Sequence, residues 1–306
     1  MPDSADKQRA SAGHKLGQLV GDWFEAHFVL PMLQDVAARL KLYLDHRFRT
    51  RPARGEKIVW HDEEGNGVDY DFVMELDGTD DALGVPVAFL ESFWRRGARH
   101  SKDKARDDSG KLSPMRGVYP SARFLGIIAG GDFTAPARQL VQSRNIDLFY
   151  VPKDKVVAAF DAMGLKMDYP DDSPEERKQQ LAEAFQARLT EERKRKIARK
   201  LRDLIGHASV TGYQSRVYAC LAALPQEIRI TARHSSAPRV FDSIAAATAF
   251  LERPEFDFAR PSQSFLYEIT YSDGSEFDRE VATLTELRDL HEQVHRVARH
   301  VESLNV

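Results

Sequence analysis

Val68-Asp-Tyr-Asp-Phe-Val-Met-Glu-Leu76 and, after a polar loop, Val85-Pro-Val-Ala-Phe-Leu-Glu-Ser-Phe-Trp94 decide how the rest of the chain is read. The first stretch alternates with the period of a strand. Asp69, Asp71, Val73 and Glu75 fall on one face, and Tyr70, Phe72, Met74 and Leu76 on the other. The second is an apolar strand whose face Val85, Val87, Phe89 and Glu91 ends in a carboxylate. Asp77 to Gly84 joins them as the loop of an antiparallel hairpin. Asp71 starts the apolar part of one strand and Glu91 closes the apolar part of the next. A carboxylate at the end of a buried strand is costly unless it is paired or bound to a metal.

Working outward, residues 1–13 are polar and are read as a disordered tail. From His14 apolar residues recur at three and four (Leu16, Leu19, Val20, Trp23, Phe24, Phe28), which predicts a helix. Pro31 kinks or restarts it. A second helical stripe, Leu33, Val36, Leu40 and Tyr43/Leu44, runs from Met32 to Phe48. Arg47 to Lys57 is a basic loop, Ile58-Val-Trp60 a short strand, and Glu63-Glu-Gly-Asn-Gly67 a turn. Beyond the hairpin, Arg95 to Leu112 is charged and partly helical. Arg123 to Gly131 is near-continuously apolar, as a buried strand is. Asp132 to Val141 follows as a helix, Asn145 to Pro152 as a strand, and Lys153 to Met163 as a helix. The order is α/β: a mixed sheet covered by helices.

A long charged helix is expected from Pro174 to Gly206, within a connecting segment, residues 171–210. Residues 211–306 are read as a smaller C-terminal α+β domain. There Ile228 to Leu251 and Phe265 to Val294 each read strand, turn, strand, helix, a loose ββα repeat of about 40 residues.

Composition narrows the function classes. The chain has 306 residues and a net charge of −3, so any nucleic-acid binding must use a local basic surface. Its single cysteine, Cys220, sits in the apolar run Val217-Tyr-Ala-Cys-Leu-Ala-Ala223 and excludes a disulfide framework and a cysteine-rich zinc site. No apolar stretch is long enough to span a bilayer, and no signal segment opens the chain, so a cytoplasmic protein without a membrane partner is expected. Gly126-Ile-Ile-Ala-Gly-Gly131 lacks the Gly-Lys-[Ser/Thr] ending of a phosphate loop. Gly-x-Ser-x-Gly is absent, which argues against an α/β-hydrolase. His61-Asp-Glu-Glu64 reads as a solvated turn.

Two carboxylates on neighbouring strands with a cation alongside are the minimal equipment for metal-assisted phosphodiester hydrolysis. The metal polarises the phosphate and acidifies water, and a lysine stabilises developing charge. Mg²⁺ takes few carboxylates and completes its shell with water and substrate oxygens. The plainer alternative is that Asp71 and Glu91 only pair with Arg95, Arg96 or Arg99. Asp69 shares a face with Asp71 and is a second candidate ligand, and Glu75 a weaker one. Basic stretches suited to a phosphate backbone are Arg47-Phe-Arg-Thr-Arg-Pro-Ala-Arg54, Trp94-Arg-Arg-Gly-Ala-Arg-His-Ser-Lys102 and Arg193 to Arg202. The last follows Glu191-Glu192, so a solvated helix face is its plain reading.

Tyr70-Asp71-Phe72-Val73 and Phe89-Leu90-Glu91-Ser92-Phe93 resemble the Asp-strand and Glu-strand of the PD-(D/E)XK, restriction-endonuclease-like nuclease superfamily. The strand, helix and strand from Phe124 to Pro152 fit the core of that family. Glu91-Ser-Phe-Trp-Arg-Arg96 and Arg99-His-Ser-Lys-Asp-Lys-Ala105 resemble segments of bacterial restriction-type endonucleases. The resemblance covers roughly residues 14–165. It implies a nuclease domain over 14–170, Mg²⁺ as cofactor, DNA as partner, a role in restriction or defence, and a homodimer for double-strand cutting. It makes Asp71 and Glu91 the metal ligands, with Glu25 of the first helix as a further acidic residue. Tyr70 stands where the pattern has proline and Phe93 where it has lysine, so a cation must come from elsewhere: Lys104, Lys102 or Arg95. Arg95, Arg96, Arg99, His100 and Ser101 are candidate DNA contacts. The rival readings are a non-catalytic DNA-binding or assembly protein on the same fold, which Phe93 favours, and a hydrolase of another class. The C-terminal ββα units are assigned either to DNA reading or to dimerisation.

Overall fold

The computed structural model describes residues 12–233, 237–254, 256 and 264–304. The expected tail therefore lies outside the described residues up to position 11, and the first helix already includes Ala12 and Gly13. In chain order the elements are α1 (Ala12–Trp23), a π-helical turn (Phe24–Val29), α2 (Leu30–Arg39), β1 (Tyr43–His46), β2 (Val59–His61), β3 (Gly67–Asp69), β4 (Phe72–Leu76) and β5 (Val85–Arg95). They continue with α3 (Ser101–Leu112), α4 (Met115–Val118), β6 (Phe124–Gly131), α5 (Ala135–Gln142), β7 (Asp147–Pro152), α6 (Lys153–Asp161), α7 (Glu175–Arg188), α8 (Glu191–Ile205) and α9 (His207–Leu221). The last part holds β8 (Pro225–Ala232), β9 (Arg239–Phe241), α10 (Ile244–Glu252), β10 (Phe265–Tyr271), β11 (Glu276–Val281) and α11 (Leu284–Ser303).

The main sheet is mixed, with strand order β1-β4-β5-β6-β7. β1, β4 and β5 pair antiparallel, and β5, β6 and β7 parallel. Helices cover both faces. Leu16, Trp23, Phe28, Leu33 and Val36 from the N-terminal helices, with Phe160, Phe185, Leu201 and Tyr213, bury one face. Ala105, Leu112, Met115, Ala137 and Val141 bury the other with Val73, Phe89, Phe93 and Ile127.

Three local departures from the sequence reading place the site. First, the expected second helix ends at Arg39, and Tyr43–His46 joins the sheet beside β4. Lys41 has φ 50°, a left-handed turn that stops the helix. Second, the stretch 68–76 is two strands. Gly67–Asp69 pairs with β2 in a separate hairpin, and only Phe72–Leu76 enters the main sheet, so Asp71 sits at the break. Third, the register shifts between Met74 and Glu75, where Pro86 and Ala88 are the partners. The extra residue, Val87, turns to the opposite core from Phe89, which breaks the expected Val85, Val87, Phe89 face. The charged helix expected over 174–206 is also interrupted: α7 ends at Arg188, and Thr190 caps α8 by accepting from the Arg193 amide. Ile197, Ala198 and Leu201 make its buried face, while Lys194 and Lys196 pair with Glu191 and Glu192.

Arg51 anchors the basic loop to the sheet. It is fully buried, its Nη1 donating to Asp45 Oδ2 at 2.9 Å and to Glu75 Oε1 at 2.6 Å. Arg54 donates to both oxygens of Asp45. Arg51, Arg54 and Glu75 are thus consumed by an internal ion network and do not serve phosphate or metal. Removing one member leaves a buried charge uncompensated. Arg51→Met is expected to cost on the order of 3–5 kcal/mol in chemical denaturation. A loss under about 1 kcal/mol, the scale of an exposed pair, would contradict this description.

The C-terminal sheet has order β11-β10-β8-β9, all antiparallel. It is two ββα units, with Ser243 and Thr283 in equivalent N-cap positions. Its own core includes Ile228, Ile230, Tyr267, Leu287 and Leu290. Helix α9 belongs elsewhere: Val210, Tyr213, Val217 and Leu221 are buried in the first core, so the change of core falls after Leu221 rather than at residue 211. Among the described residues no helix is long and apolar enough to cross a membrane.

Candidate active site

Asp71 and Glu91 reach one cleft. Phe72 is paired with Leu90, so the antiparallel register carried one step sets Asp71 opposite Glu91, where side chains share a face. The cleft has a volume of about 610 Å³, and its lining includes Glu25, Arg47, Asp71, Glu91, Ser92, Lys104 and Lys111. The Ser92 amide donates to Asp71 Oδ2 at 2.8 Å, fixing that carboxylate at the strand break. Glu91 is 2% exposed, and its Oε1 has no hydrogen-bond partner. Lys111 Nζ approaches that oxygen to 3.5 Å.

Glu25 arrives from the opposite side of the sheet on the π-helical turn. Pro31 has no amide hydrogen, and its ring crowds the carbonyl four residues back, at His27. The helix widens there, and the Leu30 amide donates to the Glu25 carbonyl, five residues back. Glu25 is buried, and its Oε2 accepts from Arg47 Nε at 2.6 Å. Arg47 also donates to Asp22 and lies 3.9 Å from Asp71 Oδ1.

The cation comes from α3. Phe93 stands two residues after Glu91, and Lys104 Nζ lies 5.3 Å from the centre of its ring. The ammonium donates to Asp108 Oδ1 at 2.6 Å, with Asp108 1% exposed behind it. Lys104, Asp108 and Lys111 are spaced four and three apart on one helix face. Of the proposed cations, Lys104 lines the cleft, Arg95 stands exposed at its lip, and Lys102 is exposed outside it.

Several expected residues have other work. Asp69 lies outside the cleft in the small hairpin, where it pairs with Lys57, because the strand breaks before Asp71. Ser101 is buried and donates to the Asp132 carbonyl, so its hydroxyl is not offered to a phosphate. Arg96 lies over the Tyr169 ring and pairs with Asp168 and Asp171. His100 is exposed beside Asp103, and Arg99 is exposed outside the cleft lining. Asp108 and Lys111 are not among the residues singled out from the sequence, and Arg47 enters there only within the basic stretch Arg47–Arg54, not as a partner of Glu25. The four-and-three spacing on α3 was the signal available for Asp108 and Lys111; Arg47 reaches the site only through the fold.

The electrostatics are those of crowded acids. Burial, then the Asp71 charge, pushes Glu25 up to about 7 against the opposing pull of Arg47. Burial, then Asp71 and Asp108, holds Glu91 well above the usual carboxylate range. Asp71 and Asp108 are raised by burial as well. Lys104 is held above the ordinary lysine value, because burial is outweighed by Asp108, Glu91 and Asp71. A divalent cation would relieve this repulsion. Among the described residues no group of three or more Asp, Glu, His or Cys side chains is placed to hold a metal ion. The donor set on offer is two carboxylates, Asp71 and Glu91, whose Oε1 makes no hydrogen bond, and this fits an ion that keeps water and substrate oxygens as its other ligands.

A pH dependence follows. A carboxyl whose folded pKa is raised takes up a proton on folding, so stability is present at lower pH and lost as pH rises through the folded value. For Glu25, raised from 4.5 to about 7, the full effect is on the order of 3 kcal/mol. Most of that change falls between pH 4.5 and 7, so on the order of 1 kcal/mol of it remains between about pH 6.5 and about pH 8.5. Burial lowers His27, His46 and His291, which work the other way as pH falls through the usual histidine value. The expected result is therefore a difference between two proteins: metal-free unmodified protein loses more stability from about pH 6.5 to about pH 8.5 than Glu25→Gln does. Equal changes in the two would contradict the assignment.

Comparison with family models, with curated proteins and with solved structures gives no match.

Proposed function

We propose that the protein is a Mg²⁺-dependent endodeoxyribonuclease built on a restriction-endonuclease-like core. The observation that carries this reading is one cleft holding Asp71 and Glu91 from adjacent strands, with Lys104 poised over the Phe93 ring. Bound at Asp71 and Glu91, Mg²⁺ would polarise the scissile phosphate and acidify the attacking water. Lys104 holds positive charge in a largely buried wall, where it stabilises charge developing on phosphate oxygens, and the more exposed Lys111 lines the same cleft. Asp108 keeps the Lys104 ammonium in place. Arg47 balances Glu25 and Asp22 and so limits the negative charge that a phosphate meets on entry. Exposed Arg95, Arg99, His100 and Lys102, from the end of β5 to the first turn of α3, offer contacts to the DNA backbone.

The uncovered face of the C-terminal sheet carries Glu227, Glu268, Glu276 and Asp278 against Arg229, a charge that repels phosphate. Of the two roles considered for that domain, dimerisation is the better fit, and a homodimer would supply two sites for a duplex. Restriction or defence is the biology that goes with this reading.

A supercoiled plasmid is expected to be nicked by the protein in Mg²⁺ and left intact in EDTA. The second reading, a DNA-binding protein without cleavage, is favoured by Phe93 at the usual lysine position. Retained affinity for duplex DNA with no nicking in Mg²⁺ would select it, and no affinity at low salt would remove both.

A further inference from the structure

Gly13, Gly17 and Gly21 recur every four residues along α1, and the same line leads to Glu25. All four line the cleft that holds Asp71 and Glu91. Glycine in a helix interior is destabilising relative to alanine, so each needs a reason. Gly13 has one in the packing: a Cβ there would lie 2.5 Å from the Tyr169 hydroxyl. At Gly17 a Cβ would meet nothing within 4 Å, and at Gly21 only Trp94 Cβ at 3.8 Å, an ordinary contact. The fold therefore does not require glycine at 17 or 21, yet both face the cleft.

A second observation points to a ligand at this wall. Ser92 is 4% exposed, lines the same cleft, and its Oγ has no hydrogen-bond partner. It follows Glu91 in β5 and so faces the other way, toward the side on which α1 packs. Glu91 Oε1, also buried and without a hydrogen-bond partner, looks into the cleft from its own side. A buried polar atom without a hydrogen bond that borders a cleft can take its partner from what enters the cleft, a water or a bound group.

We infer that Gly17 and Gly21 form a smooth wall along which the sugar–phosphate backbone of a nucleic-acid strand lies as it enters the carboxylate cleft, with Ser92 Oγ donating to it. The inference rests on the nuclease reading for its ligand. Absent side chains let the strand approach the helix backbone closely. Arg95 at the lip, with Lys104 and Lys111 at the base, supplies positive charge along the same path.

The test sets stability against binding. Gly17→Ala and Gly17→Leu are compared with the unmodified protein for thermal melting and for binding of a fluorescein-labelled duplex in EDTA at low salt. Nicking in Mg²⁺ is measured in parallel. Gly17→Ala is expected to melt at or above the unmodified temperature, since alanine favours the helix and meets no obstacle. Gly17→Leu is expected to weaken duplex binding on the order of tenfold, the scale of overpacking a close contact. Gly17→Ala, no less stable, is expected to be intermediate. Both variants binding DNA as tightly as the unmodified protein would overturn the inference, even if nicking is intact. Unmodified protein that binds but does not nick would sink the catalytic reading and leave the wall standing. Unmodified protein without affinity for the duplex would overturn both.

Discussion

Glu91→Gln is expected to lose Mg²⁺-dependent nicking by about 10³-fold or more, the cost of several kcal/mol of lost charge stabilisation. The same variant is expected to melt higher than the unmodified protein in EDTA near neutral pH. Both follow from one fact: Glu91 is almost completely buried beside Asp71 and Asp108, with Oε1 making no hydrogen bond and only the Lys111 ammonium near it, at 3.5 Å. A residue kept only for stability would not be left so. A neutral amide of the same shape removes the charge that burial disfavours. Lost activity with gained stability is the trade expected where function holds a group the fold would reject. A Glu91→Gln protein that nicks normally, or that melts lower, would show that Glu91 is a structural acid balanced by Lys111.

Lys104→Gln carries the second large effect. The amide can still donate to Asp108, so Asp108 keeps a partner while the cleft loses a cation. Nicking is expected to fall about 10²-fold, the usual cost of one donor to developing charge. Lys102→Gln is expected to change nicking by less than about twofold, since Lys102 is exposed outside the cleft, where a solvated charge counts for little. If Lys104→Gln nicks normally and Lys111→Gln does not, the cation that serves the reaction is Lys111, 3.5 Å from Glu91.

Much of the site was legible because strand patterns are local. Asp71 and Glu91 lie at the two ends of apolar runs joined by a polar loop, which is enough to pair them. Lys104 could be named because Phe93 leaves the neighbouring position without a cation and the next helix is rich in lysine. What local pattern does not carry is where a strand breaks. Asp69 and Asp71 alternate alike, and only the pairing of Gly67–Asp69 with a separate hairpin takes Asp69 away. Val87 belongs by alternation with Phe89, and a bulge between Pro86 and Ala88 turns it over. Tyr43–His46 fits a helical stripe as well as an edge strand, and tertiary pairing decides. Arg47, some 22 residues from Glu25 in sequence, enters the site through the fold alone.

The ββα repeat was readable from its strand, turn, strand, helix order and from the matching strand cores Ile230-Thr231 and Ile269-Thr270, but the core to which α9 belongs was not. Tyr213 and Val217 are apolar at helical spacing, and such a face serves either neighbour equally well until the sheets are in place. The acidic outer face of the C-terminal sheet was likewise dispersed in sequence, since Glu227, Glu268 and Asp278 come from three strands.

The most direct measurement is a crystal structure of the protein with Mn²⁺ in place of Mg²⁺, read by its anomalous signal. The expected result is a peak between the side chains of Asp71 and Glu91. Density that leaves the Glu91 side chain against Lys111, with no peak in the cleft at a Mn²⁺ concentration that supports nicking, would contradict the proposed metal site.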